Sequence, residues 1–133
     1  MSYLLDTHYV LWAISDSKKI SASIMDLISE KGHEIFVSTI SFWEISLKSS
    51  LGKIRISGGR PEDIPAICSK IGFSIIELSA ADSSSYHMLT ASYHKDPFDR
   101  MLVWQAIRNN YTLISADEQI SKYRSEGLNV LVG

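Results

Sequence analysis

The sequence of 133 residues contains a single cysteine, Cys68, and so cannot close an internal disulfide. That suits a reducing compartment, and a cytoplasmic location is expected. Preceded by Ala66 and Ile67, Cys68 reads as a small core residue. Also missing is any apolar run near the roughly 18 residues that argue for a membrane span. The first residues have neither the basic segment nor the cleavage site of a secretory leader, so none is expected. Positive charge is not in excess. A net charge of −2 speaks against a generally basic nucleic-acid binder. Internal repeats, low-complexity tracts and interdomain linkers are absent too, and no cysteine–histidine spacing suggests a zinc site. What remains is one expected domain over residues 1–133, with an ordinary 45% hydrophobic and 21% charged content. A chain of this length can bury about two thirds of its unfolded surface.

Apolar runs alternate with helical stretches throughout. Tyr3–Leu5, Ile35–Val37, Phe73–Ile76, Thr112–Ile114 and Val130–Val132 read as strands. Between them, Ile20, Ile24, Leu27 and Ile28 recur at helical spacing, as do Tyr86, Leu89 and Tyr93. Strands separated by helices imply crossover units and a mainly parallel sheet. The expected class is α/β, a three-layer α/β/α sandwich. Ser57-Gly58-Gly59-Arg60-Pro61 reads as a surface connection.

Four acids stand out by position. Asp6 ends the run YLL and Asp117 follows TLISA, so both sit at strand ends. Glu44 lies in SFWEISLK, about one helical turn beyond the second strand, among Phe42, Trp43, Ile45 and Leu47. Asp99 opens the apolar helix of DPFDRMLVW. Each has a structural explanation. Asp6 and Asp117 can cap helices, Ser41 and Glu44 fit a capping box, and Glu44 and Lys48 fit an i,i+4 ion pair. Asp96 is expected to be the N-cap before Pro97, leaving Asp99 for chemistry. Caps alone do not require all four acids at one sheet edge. In a parallel sheet the strand C-termini and following helix starts converge on a crevice. Carboxylates gathered there raise one another's pKa unless cations neutralise them. Hard oxygen donors suit Mg²⁺ or Mn²⁺.

LLDTH, SFWEISLK followed by LGKI, HKDPFDRML and TLISAD, in that order, resemble a PIN-domain protein. The resemblance is to the VapC-like ribonuclease toxins of toxin–antitoxin pairs, in particular the subgroup carrying DPFDR, and it covers essentially the whole chain. One departure is Ser115, where many relatives carry threonine; the hydroxyl is kept. The resemblance implies a metal-dependent ribonuclease with an acidic site of Asp6, Glu44, Asp99 and Asp117. Asp6 and Asp99 would be the central ligands of Mg²⁺ or Mn²⁺, with Glu44 and Asp117 completing the site directly or through water. It further implies cleavage to a 3′-hydroxyl and a 5′-phosphate, an antitoxin partner that blocks the site, and a homodimer.

For RNA phosphates the candidates are Lys48, Lys53 and Arg55, from the acid-free stretch KSSLGKIRISGGR, together with Arg100 beside Asp99. Removing four negative charges from a net −2 leaves +2, so a neutralised site would not make the chain repulsive to RNA. His8 and His94 are expected to be structural, or at most hydrogen-bond donors behind the acids. Tyr9, Trp12, Trp43 and Trp104 fall at helical positions and read as core. Two other phosphoryl-transfer readings fit less well. A haloacid-dehalogenase-like site needs Asp-x-Asp, whereas the run here is Asp6-Thr7-His8. A receiver domain needs an aspartate after its third strand, where Glu77 follows. A reading of another class is a catalytically silent PIN-like module that binds RNA or a protein.

Overall fold

Five short apolar segments become the strands of one sheet in the computed structural model, which describes residues Met1–Gly133. They are β1 (Ser2–Leu5), β2 (Glu34–Ser38), β3 (Ser74–Ile76), β4 (Thr112–Ser115) and β5 (Asn129–Val132). All neighbours run parallel, in the order β3-β2-β1-β4-β5. The α-helices are α1 (Thr7–Ser15), α2 (Ala22–Ser29), α3 (Thr39–Ser50), α4 (Ile64–Ile71), α5 (Ala80–Ser85) and α6 (Pro97–Asn109).

Consecutive side chains of a strand point to opposite faces, so a continuous apolar run signals a strand buried on both. Tyr3 and Leu5 enter one core with Ile35, Val37 and Ile114, beneath Tyr9 and Val10 of α1, Ile24 of α2, and Ile64 and Cys68 of α4. Leu4 enters the other with Leu113 and Val130, beneath Leu102, Val103 and Ala106 of α6. The three expected layers follow from that alternation. No helix is long and apolar enough to cross a membrane.

The chain moves outward from β1 to β2 and β3, then returns to place β4 on the other side of β1. The order therefore reverses between β1 and β4. Outside such a reversal the flanking connections diverge and leave a crevice at the strand C-termini.

Three local expectations need correction. The rhythm of Tyr86, Leu89 and Tyr93 does not build a helix. After α5 the chain makes one 3₁₀ turn, Tyr86–Met88, and then runs irregularly to the start of α6. There the carbonyls of Leu89 and Ala91 accept from the Arg100 guanidinium, at 2.6 and 3.1 Å. Second, Ser41 is not the cap of α3. The helix begins earlier, with Ser38 accepting from the Ile40 N–H at 3.1 Å. Third, Trp43 is not core. It is 62% exposed, whereas Tyr9 and Trp104 are buried as expected.

Candidate functional site

Asp6 extends from the end of β1 and is 5% exposed. Its Oδ1 accepts from the Tyr9 N–H at 3.0 Å, which caps α1, and its Oδ2 accepts from the Ala116 N–H at 3.0 Å, just beyond β4. Capping and placement at the crevice edge are thus two functions of one side chain. Burial pushes the Asp6 carboxyl above its usual range, opposed by those two N–H groups and the Ser115 hydroxyl.

Glu44, 4% exposed, projects from α3 toward the same edge. The Thr7 hydroxyl donates to its Oε1 at 2.7 Å and lies 3.0 Å from Ser41 Oγ. Its Oε2 is paired with the Lys48 ammonium, one helical turn on, as the spacing predicts. That ammonium also reaches to 3.8 Å from Asp96 and so bridges α3 to the start of α6. Burial works against the charged Lys48, but Glu44 and then Asp96 hold its pKa above the usual value.

Asp96 is the expected N-cap of α6, accepting from the Phe98 and Asp99 N–H groups at 2.8 and 3.4 Å. Asp99 is left without a close donor. Burial, then the charges of Asp96 and Glu44, push its carboxyl up to about 6, with His94 opposing and Asp6 adding to the rise. Asp117 is the most open of the four acids, its side chain 40% exposed. Its Oδ1 caps the following 3₁₀ segment through the Gln119 N–H at 2.9 Å, and its Oδ2 lies 2.8 Å from His94 Nε2.

His94 links two of the acids. The Asp96 N–H donates to its Nδ1 at 3.1 Å, so the proton of the neutral ring sits on Nε2. Nε2 then donates to Asp117 and lies 3.5 Å from Asp99. The sequence signal was faint, a histidine two residues before the cap of an acid-bearing helix. His8, by contrast, is exposed and packs against Trp12.

Of the basic candidates, only Lys48 touches the acids. Lys53 and Arg55 lie exposed on the loop after α3. Arg100 points away from the crevice: its guanidinium donates to the hydroxyls of Tyr86 (2.6 Å) and Tyr123 (3.3 Å) as well as to the two carbonyls already named. Nearly all of its donor fork is committed inside the protein, which leaves little for a phosphate.

No three of the acid, histidine or cysteine side chains close into a ready-made metal cage. Asp6 is held by backbone donors, and Glu44 by Thr7 and Lys48. The donor set remains all-oxygen and rich in negative charge, with Asp99 short of a partner. It fits a hard, well-hydrated cation that takes one or two carboxylates and keeps several waters. A concavity of about 610 Å³ lies at the opposite end of the strands, beside Met1, Thr112 and Asn129, and carries no acid.

Residues 3–126 match the PIN domain family. Comparison of the sequence with curated proteins finds no match. Among solved structures, the fold is similar to VapBC2 from Rickettsia felis bound to a DNA fragment from their promoter, with a TM-score of 0.74 and 20% identity over 100% of this chain and 99% of that one. It is also similar to VapBC-1 from nontypeable Haemophilus influenzae, with a TM-score of 0.72 and 16% identity over 99% and 98% of the two chains. For DNA-bound VapBC from Salmonella typhimurium the TM-score is 0.69 and the identity 14%, over 99% and 98%.

Proposed function

This chain belongs to the PIN-domain family, and on that premise we propose that it is a metal-dependent ribonuclease, the toxin of a toxin–antitoxin pair. The observation that carries the reading is the meeting of acids at the sheet reversal. Asp6 and Glu44, each about 5% exposed, face Asp99, whose carboxyl is short of donors. Structure alone does not require three acids with one lysine at such a place, since burying unbalanced charge is costly.

In this reading Asp6 and Asp99 would hold a Mg²⁺ or Mn²⁺ ion, with Glu44 and Asp117 completing its surroundings directly or through water. When bound, such an ion would make a coordinated water acidic enough to yield the nucleophile for a phosphodiester near neutral pH and would offset charge on the phosphoryl oxygens. Asp6 contributes a fixed direction, because both its oxygens are oriented by backbone N–H groups. Lys48 balances Glu44 and is the candidate among the acids for contact with a substrate phosphate. His94 keeps Asp117 oriented through Nε2. The fold likeness to VapBC proteins supports an antitoxin partner, and the homodimer rests on the family resemblance alone. One domain acting in the cytoplasm completes the proposal.

The test is incubation of purified protein with total cellular RNA in Mg²⁺ or Mn²⁺, against EDTA and against Asp6→Asn. Fragments that carry 5′-phosphates, need the cation and vanish in the variant are expected. Intact RNA with a folded, partner-free protein in both metals would overturn the nuclease and favour the silent binding module.

A further inference from the structure

Trp43 is where helical position and burial part company. An indole left in water forgoes the burial of a large apolar surface, and its 62% exposure is unusual beside the buried Trp104. Its ring meets that of Phe98 edge to face, with centroids 5.0 Å apart. The two rings wall an apolar cavity of about 160 Å³ that Ile40, Leu78 and Met101 also line.

This cavity adjoins the acids. Trp43 and Glu44 lie on α3, and Phe98 and Asp99 on α6, as sequence neighbours that point to different sides of each helix. Lys48 joins the two sets: its ammonium pairs with Glu44 and sits 5.9 Å from the centre of the Phe98 ring. Acids, one cation and an exposed aromatic surface are therefore contiguous.

We infer that Trp43 and Phe98 form a stacking shelf for a nucleobase of single-stranded RNA whose adjoining phosphate lies at Lys48 and the acid crevice; this rests on the ribonuclease reading. Every base has a π-face, and such stacking is worth about 1–3 kcal/mol per base by alanine substitution. The lining is almost wholly apolar, and the hydroxyl of Tyr86 beside it is taken by Arg100. The shelf thus senses that a base is present and does little to read which one. A polypeptide lying on this face of α3 would instead continue along the exposed Leu47 and Leu51, one and two turns beyond Trp43.

The test uses a short labelled single-stranded RNA and an abasic ribose–phosphate strand of equal length. Binding is followed by fluorescence anisotropy in Mg²⁺, with full-length Asp99→Asn as parent so that the strand stays intact. Adding Trp43→Ala is expected to weaken binding of the base-bearing strand about 5–150-fold and leave the abasic strand unchanged. Trp43→Phe restores most of the affinity, Trp43→Leu does not, and Leu47→Ser changes nothing. Equal affinities with and without Trp43 would overturn the shelf, while the cleavage assay still judges the nuclease reading separately. Failure of the parent to prefer the base-bearing strand overturns it too. So does an RNA affinity indifferent to Trp43 combined with self-association, measured by sedimentation, that Leu47→Ser abolishes.

Discussion

Asp6 Oδ2 accepts the Ala116 N–H at 3.0 Å across 110 residues of sequence, so one carboxylate ties the end of β1 to the chain leaving β4. The same side chain caps α1. Asp6→Ala removes a cap and leaves a partly buried N–H without a partner, a loss of roughly 2–4 kcal/mol. Asp6→Asn keeps one acceptor oxygen and loses less. Urea denaturation midpoints in EDTA check both, and an unchanged midpoint for Asp6→Ala contradicts this account.

Asp99 behaves in the opposite way. Its folded pKa is about 6 against an ordinary 3.8, so the native state holds the proton more tightly. The resulting stability is fully present below about pH 3.8 and is lost as the pH rises through 6. In EDTA at pH 7.5, Asp99→Asn is therefore more stable than the parent by roughly 1–2 kcal/mol, after allowance for partial solvent screening. The difference vanishes near pH 4 and reverses when Mn²⁺ is added. Thermal unfolding across that pH range reads all three outcomes.

Lys48→Met isolates the one cation against Glu44. Glu44 keeps its Thr7 hydroxyl but loses its counter-charge, at a cost of roughly 1–3 kcal/mol in EDTA. A divalent cation restores part of that loss. Equal destabilisation with and without Mn²⁺ would mean that Glu44 lies outside the cation's reach.

Arg100 is a structural tie, so its loss acts through the segment it holds. Arg100→Ala strands two carbonyls and the Tyr86 hydroxyl, while Tyr123 keeps the His94 N–H, and is expected to destabilise by roughly 2–4 kcal/mol. Arg100→Lys does not rescue, because a single ammonium cannot reproduce the planar fork. Hydrogen exchange in Leu89–Asp96 rises in both variants. An effect confined to RNA affinity would instead assign Arg100 to substrate.

The parts legible in the sequence were those that depend on period and order. β1, β2 and β4 were visible because both their faces are largely buried, and the more exposed β3 and β5 by their short apolar runs; in the structure β1, β4 and β5 each gain one residue, β2 gains Glu34 and Ser38, and β3 loses Phe73. That Asp6, Glu44, Asp99 and Asp117 lie toward one edge followed from parallel strands separated by helices. What stayed hidden depends on tertiary partners. A 3.6-residue rhythm suggested helix at Tyr86, Leu89 and Tyr93, but Arg100 takes the carbonyls that a helix would use internally. The same rhythm placed Trp43 on a helix without revealing that only Phe98 of α6 packs against its ring and most of the indole stays exposed. Ser41 and Glu44 had the spacing of a capping box, yet the helix starts earlier at Ser38 and frees both for Thr7.

The central claim, that the crevice acids form a divalent-cation site, is tested most directly by titrating Mn²⁺ into the metal-free protein at pH 7.5 with calorimetric detection. Saturable binding is expected, weakened about tenfold or more by Asp99→Asn and unaffected by Asp16→Asn, which alters an exposed acid paired only with Lys19. Binding equal in all three proteins, or no saturable binding to the parent, would contradict the account.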